Sequence, residues 1–418
     1  MLFERKTYLQ KLIKAQGNRM IKIVTGIRRC GKSFLLFHIF RQYLMNQGVL
    51  PNHFIGLELD DRKNRKLLDP DNLLEYINNH LVHDGKTNYV ILDEVQLVDD
   101  FVSVLLSLTH MDDVETFVSG SNSKFLSSDV VTEFRGRGWE IRLHPLSFSE
   151  YYEAVGGSEE KALAQYYRFG GLPGVINEED EEGKSAYLQS IYETTYLRDV
   201  IERNHLRNEE TMNKLVRVLA SDIGASSNPS RIARTFKSQE QISVDPSTIA
   251  DYIRCLKDAF IIDEALRYNV KGRKYIGTET KYFFEDLGVR NILINFRQEE
   301  HNHLMENAIY NELKARGCAV DVGLVEVWEQ DSNGTTVRKN LEVDFVVNRM
   351  PKRVYIQSAY DLPTREKTLQ EQRPLTSISD NFRKVIIIGR QCHPWINDEG
   401  VNIVSIYDFL LRKDDILT

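Results

Sequence analysis

The sequence predicts an α/β protein that begins with a parallel sheet covered by helices and ends with a second α/β region. Near the amino end, short apolar runs alternate with segments of helical spacing, an order typical of a parallel sheet. At about 150 residues per domain, a chain of 418 residues has room for two to three domains. Hydrophobic residues make up 42% and charged residues 28% of the chain, which excludes a disordered protein.

The amino-terminal elements follow one another as strand, glycine loop and helix. Residues 20–25 form a short apolar run that ends at Gly26, and the segment after Lys32 has helical spacing and is closed by Gly48. Further strand-like runs lie at 53–59, 88–94, 115–121 and 139–146. Residues 1–150 are therefore predicted to form the sheet domain.

The remaining residues predict three further domains. Residues 151–210 keep a helical period, interrupted at 169–174 by three glycines and a proline, and indicate a helical lid. Residues 211–280 offer helices followed by two strand-like pieces, the order of a winged helix-turn-helix. Residues 281–418 return to mixed helices and strands, which predicts the second α/β domain.

Charge, cysteine content and hydropathy exclude several classes of protein. The net charge of −7 excludes a uniformly basic nucleic-acid coat, although a local basic face is still allowed. Four widely spaced cysteines indicate neither a disulfide framework nor a zinc site. The apolar runs are far shorter than the roughly 18 residues that a bilayer requires, and the amino end does not resemble a secretory signal. We therefore expect a cytoplasmic protein with no membrane partner.

A phosphate-binding loop is predicted between the first strand and its helix. Residues 26–33, GIRRCGKS, fit the pattern G-x-x-x-x-G-K-S in the required context. Its glycines allow successive backbone N–H groups and the helix N-terminus to face a phosphate. Lys32 is predicted to reach the β- and γ-phosphates, and the Ser33 hydroxyl to bind Mg²⁺. The predicted nucleotide-contacting residues are Gly26, Ile27, Arg28, Arg29, Cys30, Gly31, Lys32, Ser33 and Phe34.

An acidic pair completes the predicted site. Asp93 and Glu94 follow four apolar residues, Tyr89 to Leu92, at the end of a strand-like run. Asp93 is predicted to hold the water shell of Mg²⁺, and Glu94 to polarise the water that attacks the γ-phosphate. The alternative is a buried strand with an exposed acidic turn. The loop and the acids together predict ATP and Mg²⁺ as cofactors and ATP hydrolysis as the reaction.

Two polar segments are candidates for further catalytic roles. Asn122 follows the strand-like run at 115–121 and is predicted to sense the γ-phosphate, with a capping turn as the alternative. Arg135 and Arg137 lie on a glycine-flanked loop and are predicted to stabilise charge on the transferred phosphoryl group. Such arginines often act from a neighbouring subunit, which predicts a homo-oligomer. A solvated basic loop is the alternative.

In this order the motifs resemble a family of AAA+-type P-loop ATPases of bacteria and archaea that carry a conserved carboxyl-terminal domain of unknown function. The resemblance spans roughly residues 1–360 and rests on GIRRCGKS, YVILDEVQ, SGSNSKFLSSD, FRGRG, FGGLP, LRDV, KYFFEDLGVRN and MENAIYNEL. It implies ATP binding at Gly31, Lys32 and Ser33, a metal role for Asp93 and a hydrolytic role for Glu94. It implies no established substrate.

The predicted winged helix makes DNA a candidate partner. Residues 211–281 contain 12 basic and 8 acidic residues, so the region is positive within an acidic chain. Phosphate contacts require such local charge. Residues 248–256 are the predicted recognition helix and 271–274 the tip of the wing, so that DNA would bind through residues 231–274. The alternative is an ATP-controlled protein-interaction switch in which the winged helix only packs against protein.

The tail follows the layout of the PD-(D/E)xK nuclease fold. Glu306 lies on a predicted helix, Asp344 at the end of a short strand-like run and Gln357 on the next strand. Gln357 stands where that fold has a carboxylate, and Ala359 where it has the lysine that orients the nucleophile. The sequence therefore predicts a restriction-endonuclease-like fold with a degenerate second metal site. An ATP-gated, metal-dependent nuclease is the competing hypothesis to an ATPase that acts on DNA.

Overall fold

The chain divides into two compact units in the computed structural model. The described residues are 3–121, 134, 136–206, 208–239, 241–297, 300–330, 334–413 and 416–417. One unit contains Met1–Pro145 and Lys257–Phe260, and the other contains Leu146–Leu256 and Ile261–Thr418. The division into four domains expected from the sequence stays a prediction.

The first unit is built on a parallel sheet of five strands in the order β2-β3-β4-β1-β5. The strands are β1 (Ile21–Thr25), β2 (Phe54–Glu58), β3 (Asn88–Asp93), β4 (Val114–Gly120) and β5 (Gly138–Arg142). Every residue of β1 is buried, as expected of a central strand covered on both faces. The predicted parallel sheet is confirmed, and the carboxyl ends of its strands meet at one edge.

Helices join these strands. They are α1 (Lys6–Ala15), α2 in three consecutive segments (Lys32–Phe34, the π-helical Leu35–Phe40, and Arg41–Asn46), α3 (Pro70–His80) and α4 (Phe101–Leu108). Single turns of 3-10 helix lie at Pro51–His53 and Val95–Leu97, and a longer one at Arg62–Leu68. The Asp69 side chain accepts a hydrogen bond from Asn72 N and Pro70 takes the first position, so sequence chemistry sets the start of α3.

The second unit opens with helices. They are α5 (Phe148–Val155), α6 (Glu159–Phe169), α7 (Glu181–Ile191) and, after the π-helical turn Tyr192–Leu197, α8 (Arg198–Asn204). A 3-10 turn lies at Pro173–Asn177. Ser147 and Glu150 form a reciprocal capping box at the start of α5. Helix α6 is followed by Gly170, whose φ is 75°. Residues with a side chain rarely adopt this conformation, so glycine is favoured at the helix end.

The next elements come in the order predicted for the winged helix. They are α9 (Glu209–Ser221), β6 (Ser226–Ser227), α10 (Pro229–Gln239), α11 (Pro246–Asp258), β7 (Ile262–Asn269) and β8 (Lys274–Phe284). Strand β8 pairs antiparallel with both β7 and β6. It continues to Phe284, so the boundary placed at residue 280 falls inside a strand.

The tail adds six strands to the same sheet. Its elements are α12 (Leu287–Leu293), α13 (His301–Ala315), β9 (Ala319–Gln330), β10 (Thr336–Arg349), β11 (Lys352–Ala359), α14 (Arg365–Thr376), β12 (Arg383–Ile388), β13 (Trp395–Ile396), β14 (Asn402–Ser405) and α15 (Ile406–Leu410). The nine strands follow the order β13-β14-β12-β11-β10-β9-β7-β8-β6. Strands β7 and β8 form an antiparallel hairpin. Because β7 pairs with β9, this hairpin and the strands of the tail belong to one sheet.

Two motifs that carry the family resemblance contact each other inside the second unit. The buried carboxylate of Asp286 accepts hydrogen bonds from the backbone N–H groups of Gly171 and Val289. The Asn291 amide donates to the carbonyl oxygens of Tyr167 and Arg168. The residues of FGGLP and EDLGVRN therefore join α6 to α12, a structural role. Among the described residues, no helix is long and apolar enough to cross a membrane.

Candidate nucleotide-binding site

The loop after β1 has the backbone geometry that a phosphate site requires. A Cβ atom at Gly26, where φ is 144°, would lie 2.1 Å from the carbonyl oxygen of Leu143, so only glycine fits there. Gly31 has φ 101°, and no described atom lies within 4 Å of the position its Cβ would take. The chain then enters α2 at Lys32. Glycine at these positions thus folds the loop and leaves space beside the start of the helix.

The Lys32 side chain lies back across this loop. Its Nζ donates to the carbonyl oxygens of Gly26 at 2.9 Å and Ile27 at 3.1 Å, and the residue is 5% exposed. Both acceptors are neutral. An ammonium group held by carbonyl oxygens can exchange them for phosphate oxygens without breaking an ion pair with a carboxylate.

The structure brings the two predicted metal ligands together. The Ser33 hydroxyl lies near the buried carboxylate of Asp93, close enough to lower the pKa of that carboxyl. The Ser119 hydroxyl, from β4, donates to the same carboxylate. Burial raises the pKa of Asp93, and the hydrogen bonds from Ser119 and Ser33 oppose that increase. A serine hydroxyl and a carboxylate at one point are a donor set that fits Mg²⁺.

Glu94 lies beside this pair in a left-handed backbone conformation, with φ 51°. Its Oε2 accepts hydrogen bonds from the Ser121 hydroxyl at 3.1 Å and from the Gln96 amide. Arg28, in the phosphate loop, donates from Nε to the same Ser121 hydroxyl at 3.3 Å. Ser121 therefore links the phosphate loop to the predicted hydrolytic carboxylate.

Sequence reasoning did not assign Ser119 or Gln96 to the site. Ser119 lies at the end of the strand that separates β1 from β3, so its position depends on the strand order. Gln96 lies two residues beyond Glu94, in the 3-10 turn that follows. The sequence feature that could have identified them is a polar side chain at the end of one strand-like run and another two residues after the acidic pair.

The predicted arginine finger lies elsewhere in this chain. Arg137 is exposed, and its carbonyl oxygen accepts a hydrogen bond from the N–H of Ile21 at 2.8 Å. Ile21 starts β1 and the phosphate loop follows its end, so Arg137 lies at the opposite edge of the sheet, about 15 Å away at 3.3 Å per residue. Arg135 and Asn122 fall outside the described residues.

The tail brings Glu306 and Asp344 to one place, together with Glu342, and surrounds Lys281 with them. We call these three carboxylates the acidic cluster. The Gln357 amide is adjacent, since its oxygen accepts the backbone N–H of Asp344 at 3.4 Å. Within the described part of the chain, no group of three or more His, Cys, Asp and Glu side chains has the arrangement of a metal site.

The five-stranded parallel sheet of the first unit, with its glycine loop between β1 and α2, resembles the sheet of P-loop ATPases. Residues 18–152 match the family model described as an AAA domain, and residues 160–300 match one described as a domain of unknown function (DUF8612). The AAA match supports nucleotide binding, as the resemblance implied.

Similar proteins cover nearly the whole chain. An uncharacterised protein of Haemophilus influenzae is 28% identical over 416 residues, which are 98% of this chain and 99% of that protein. An uncharacterised protein of Methanocaldococcus jannaschii is 27% identical over 404 residues, covering 93% and 85%. Among solved structures, a Walker-type ATPase of Pyrococcus abyssi has a TM-score of 0.48 and 14% identity, covering 70% of this chain and 96% of that one.

Proposed function

We propose that the protein hydrolyses ATP at the edge of the parallel sheet where β1 and β3 end. The observation that carries the proposal is the buried Asp93 carboxylate, which lies beside the Ser33 hydroxyl. The charges of Lys32 and Glu94 act on the same carboxylate. This arrangement unites a phosphate loop with a metal-binding acid and a second acid. The coupling of nucleotide state to the second unit is part of the proposal.

The phosphates would take the place of the loop's own contacts. Backbone N–H groups of residues 26–33 and the start of α2 face the β-phosphate. Lys32 moves its Nζ from the carbonyl oxygens of Gly26 and Ile27 to the β- and γ-phosphate oxygens. Since these contacts with the carbonyls are neutral, little electrostatic energy opposes the exchange.

Ser33 and Asp93 would hold Mg²⁺, which when bound neutralises charge on the β- and γ-phosphates. Their adjacency leaves the other coordination positions to water and phosphate, as Mg²⁺ prefers. Ser119 donates to Asp93 and thereby orients the carboxylate. Because the pKa of Asp93 is raised by burial, the positive charge of Lys32 helps to keep that carboxylate ionised.

Glu94 is proposed to orient the attacking water. Ser121 and Gln96 hold its carboxylate, so the oxygen atoms have a defined direction. The carboxylate accepts a hydrogen from the water as the water approaches the γ-phosphorus. Ser121 also contacts Arg28, through which occupancy of the loop can affect the position of Glu94.

Arg137 can act on the nucleotide only from another subunit, because it lies at the far edge of its own sheet. We therefore propose a homo-oligomer in which this arginine, and Arg135 on the same loop, face the site of a neighbouring protomer. There the arginines would stabilise the negative charge of the phosphoryl group in the transition state.

The test is an ATPase assay with Mg²⁺ on wild type, Lys32→Ala and Glu94→Gln, with Lys63→Ala as the control. Lys63 is exposed in the same unit and far along the chain from the loop. We expect Lys32→Ala to lose nucleotide binding and turnover, and Glu94→Gln to keep binding and lose turnover about 100-fold or more. Unchanged hydrolysis in both variants would refute the site.

A second proposal concerns DNA and rests on α10. Its exposed side chains include Arg231, Arg234 and Lys237, and residues 229–239 contain no acidic residue. The predicted recognition helix α11 is less basic, because Arg254 forms a 2.9 Å ion pair with Asp251. We propose that α10 contacts DNA phosphates.

Titration of labelled duplex and single-stranded DNA at several salt concentrations tests this contact. The triple variant Arg231→Ala, Arg234→Ala and Lys237→Ala should flatten the slope of log affinity against log salt by about 3. The matched control replaces three exposed cations of the tail, Arg349, Lys352 and Arg365. A DNA affinity that the triple variant leaves unchanged would refute the contact through α10, and the absence of any salt-dependent DNA binding would favour the protein-interaction switch.

A further inference from the structure

Lys281 lies at the centre of the acidic cluster. Its Nζ is 2.8 Å from Glu306 Oε1, 2.8 Å from Glu342 Oε1 and 3.8 Å from Asp344 Oδ1. The lysine is 3% exposed, and Glu306 and Asp344 are buried as well. We infer that the ammonium group of Lys281 occupies the place where a nuclease of the predicted layout would hold its divalent cation. The cluster is then a structural ion-pair network and not a metal-dependent nuclease site.

The ligands of the predicted metal site are already engaged. Asp344 accepts the backbone N–H of Ser358 at 2.8 Å through Oδ2. Gln357 uses its amide oxygen for the backbone N–H of Asp344 and its amide nitrogen for Glu371. Glu306 directs Oε1 at the ammonium. A divalent cation would have to displace Lys281 and break these contacts.

The electrostatics favour a charged, permanently held lysine. Burial alone would lower the pKa of Lys281, but the charges of Glu306, Asp344 and Glu342 hold it above its ordinary range. Burial opposes ionisation of Glu342 too, yet Lys281 and Arg267 keep its pKa below the usual range. Arg267 bonds Glu342 at 3.2 Å from the side away from the lysine. The ammonium is therefore the internal counter-charge of the cluster.

The network joins three elements that are distant in sequence. Lys281 comes from β8 of the hairpin, Glu306 from α13, and Glu342 and Asp344 from β10. Removing one partner of a buried, charged network leaves the others uncompensated and is strongly destabilising. The inference therefore gives the cluster a definite role, which is to hold the hairpin and the tail as one body. It does not depend on ATP hydrolysis.

A competing role for Lys281 is that of the nuclease's own lysine, supplied from a different strand than the predicted one. In that case a divalent cation would enter beside the ammonium, and Asp344 would be needed both for metal binding and for cutting. The two roles differ in their dependence on Asp344.

The first experiment uses the full chain with Lys281 in place. Asp93→Asn removes the metal ligand of the ATP site, and Asp93→Asn/Asp344→Asn adds the change in the tail. Calorimetric titration with Mn²⁺ and incubation with supercoiled plasmid and Mn²⁺ should give the same result for both proteins. Mn²⁺ binding or nicking that disappears with Asp344→Asn would overturn the inference.

The second experiment removes the internal cation. Lys281→Met should lower the Tm by about 10 °C, because Glu306 and Glu342 both lose their buried counter-charge. Lys281→Met/Glu306→Gln should recover part of that loss, because it removes a buried carboxylate that lies 2.8 Å from the lysine in wild type. A Lys281→Met protein as stable as wild type would also overturn the inference. If that variant does not fold, the comparison of the two Asp93→Asn proteins still decides, since both retain Lys281.

Discussion

Two lysines of this protein, Lys32 and Lys281, are buried to a similar degree but have chemically different partners. Lys32 lies at the sheet edge of the first unit and bonds two neutral carbonyl oxygens. Lys281 lies in the second unit and bonds carboxylates at 2.8 Å. Both are nearly inaccessible to solvent, at 5% and 3% exposure. Burial therefore does not separate a binding lysine from a structural one, whereas the charge of its partners does.

The physical reason is the energy of exchanging partners. An ammonium bonded to carbonyl oxygens gains a strong, charge-assisted interaction when phosphate arrives. An ammonium between carboxylates would have to leave negative groups uncompensated in a buried environment. Lys32 can thus respond to a ligand, and Lys281 can only hold the fold.

The largest effect should come from replacing each lysine by methionine. We expect Lys281→Met to lower the free energy of unfolding by about 3–5 kcal/mol. Lys32→Met should lower it less, by about 2 kcal/mol, since hydrogen bonds to two carbonyl oxygens are lost but no close ion pair, and should abolish nucleotide binding. Urea denaturation and titration with a fluorescent nucleotide measure the two quantities. Equal losses of unfolding free energy in the two variants would refute the different roles assigned to the two lysines.

A pH series compares the acids beside these lysines. Burial and the negative charge of Glu306 raise the pKa of Asp344 to about 8. Because the folded pKa lies above the unfolded one, this group's stabilising contribution is complete below pH 4 and disappears as the pH rises through 8. Wild type should therefore lose about 3 kcal/mol of unfolding free energy relative to Asp344→Asn between pH 6 and pH 9.

The same pH comparison at Asp93 should show the same sign with a smaller amplitude. Burial raises its pKa, but hydrogen bonds from Ser119 and Ser33 and the charge of Lys32 counteract burial. Denaturation curves of Asp93→Asn and Asp344→Asn at each pH supply the measurement. A larger pH effect at Asp93 would contradict the assigned environments.

A moderate effect is expected at the side chains that orient Glu94. Ser121→Ala and Gln96→Ala should each lower kcat about 10-fold, because they free the carboxylate, and should change KM less than 2-fold. Ser107→Ala, a hydroxyl on α4 bonded only to the backbone in the described contacts, serves as the control. Steady-state ATPase kinetics show the split, and a change confined to KM would argue against orientation.

The smallest effect extends the comparison to the surface. Arg254 is exposed and already paired with Asp251, so its charge is compensated by a carboxylate, as that of Lys281 is. Arg254→Ala should therefore change the affinity for duplex DNA less than 2-fold and the stability by well under 1 kcal/mol. Filter binding and thermal unfolding test this, and a large loss of DNA affinity would restore α11 as the principal contact.

The local motifs could be predicted because the residues that carry their chemistry are adjacent in the sequence. The loop at 26–33 and the acids at 93 and 94 could be assigned roles before any strand order was known. The position of Arg137 could not be predicted in the same way. Arg137 directly precedes β5, and it lies at the amino ends of the strands because β5 runs parallel to β1. At that position Arg137 lies about 15 Å from the phosphate loop of its own chain, which is why its role is proposed only for the site of a second subunit.

The tail shows the limit of sequence reasoning most clearly. Ala359 stands where the predicted nuclease layout has a lysine, yet the structure places another lysine there from residue 281, 25 positions before Glu306 and 63 before Asp344. No spacing rule connects those residues, since β8 belongs to the hairpin and reaches the cluster only through the shared sheet.

The sequence by itself determined the phosphate loop, the acidic strand end and the alternation of strands and helices, because each depends on neighbouring residues and on hydrophobic periodicity. The tertiary structure alone decided which side chains surround each ammonium group. That choice depends on strand order and on contacts between distant segments, and it distinguishes a lysine that can bind phosphate from one that compensates buried carboxylates.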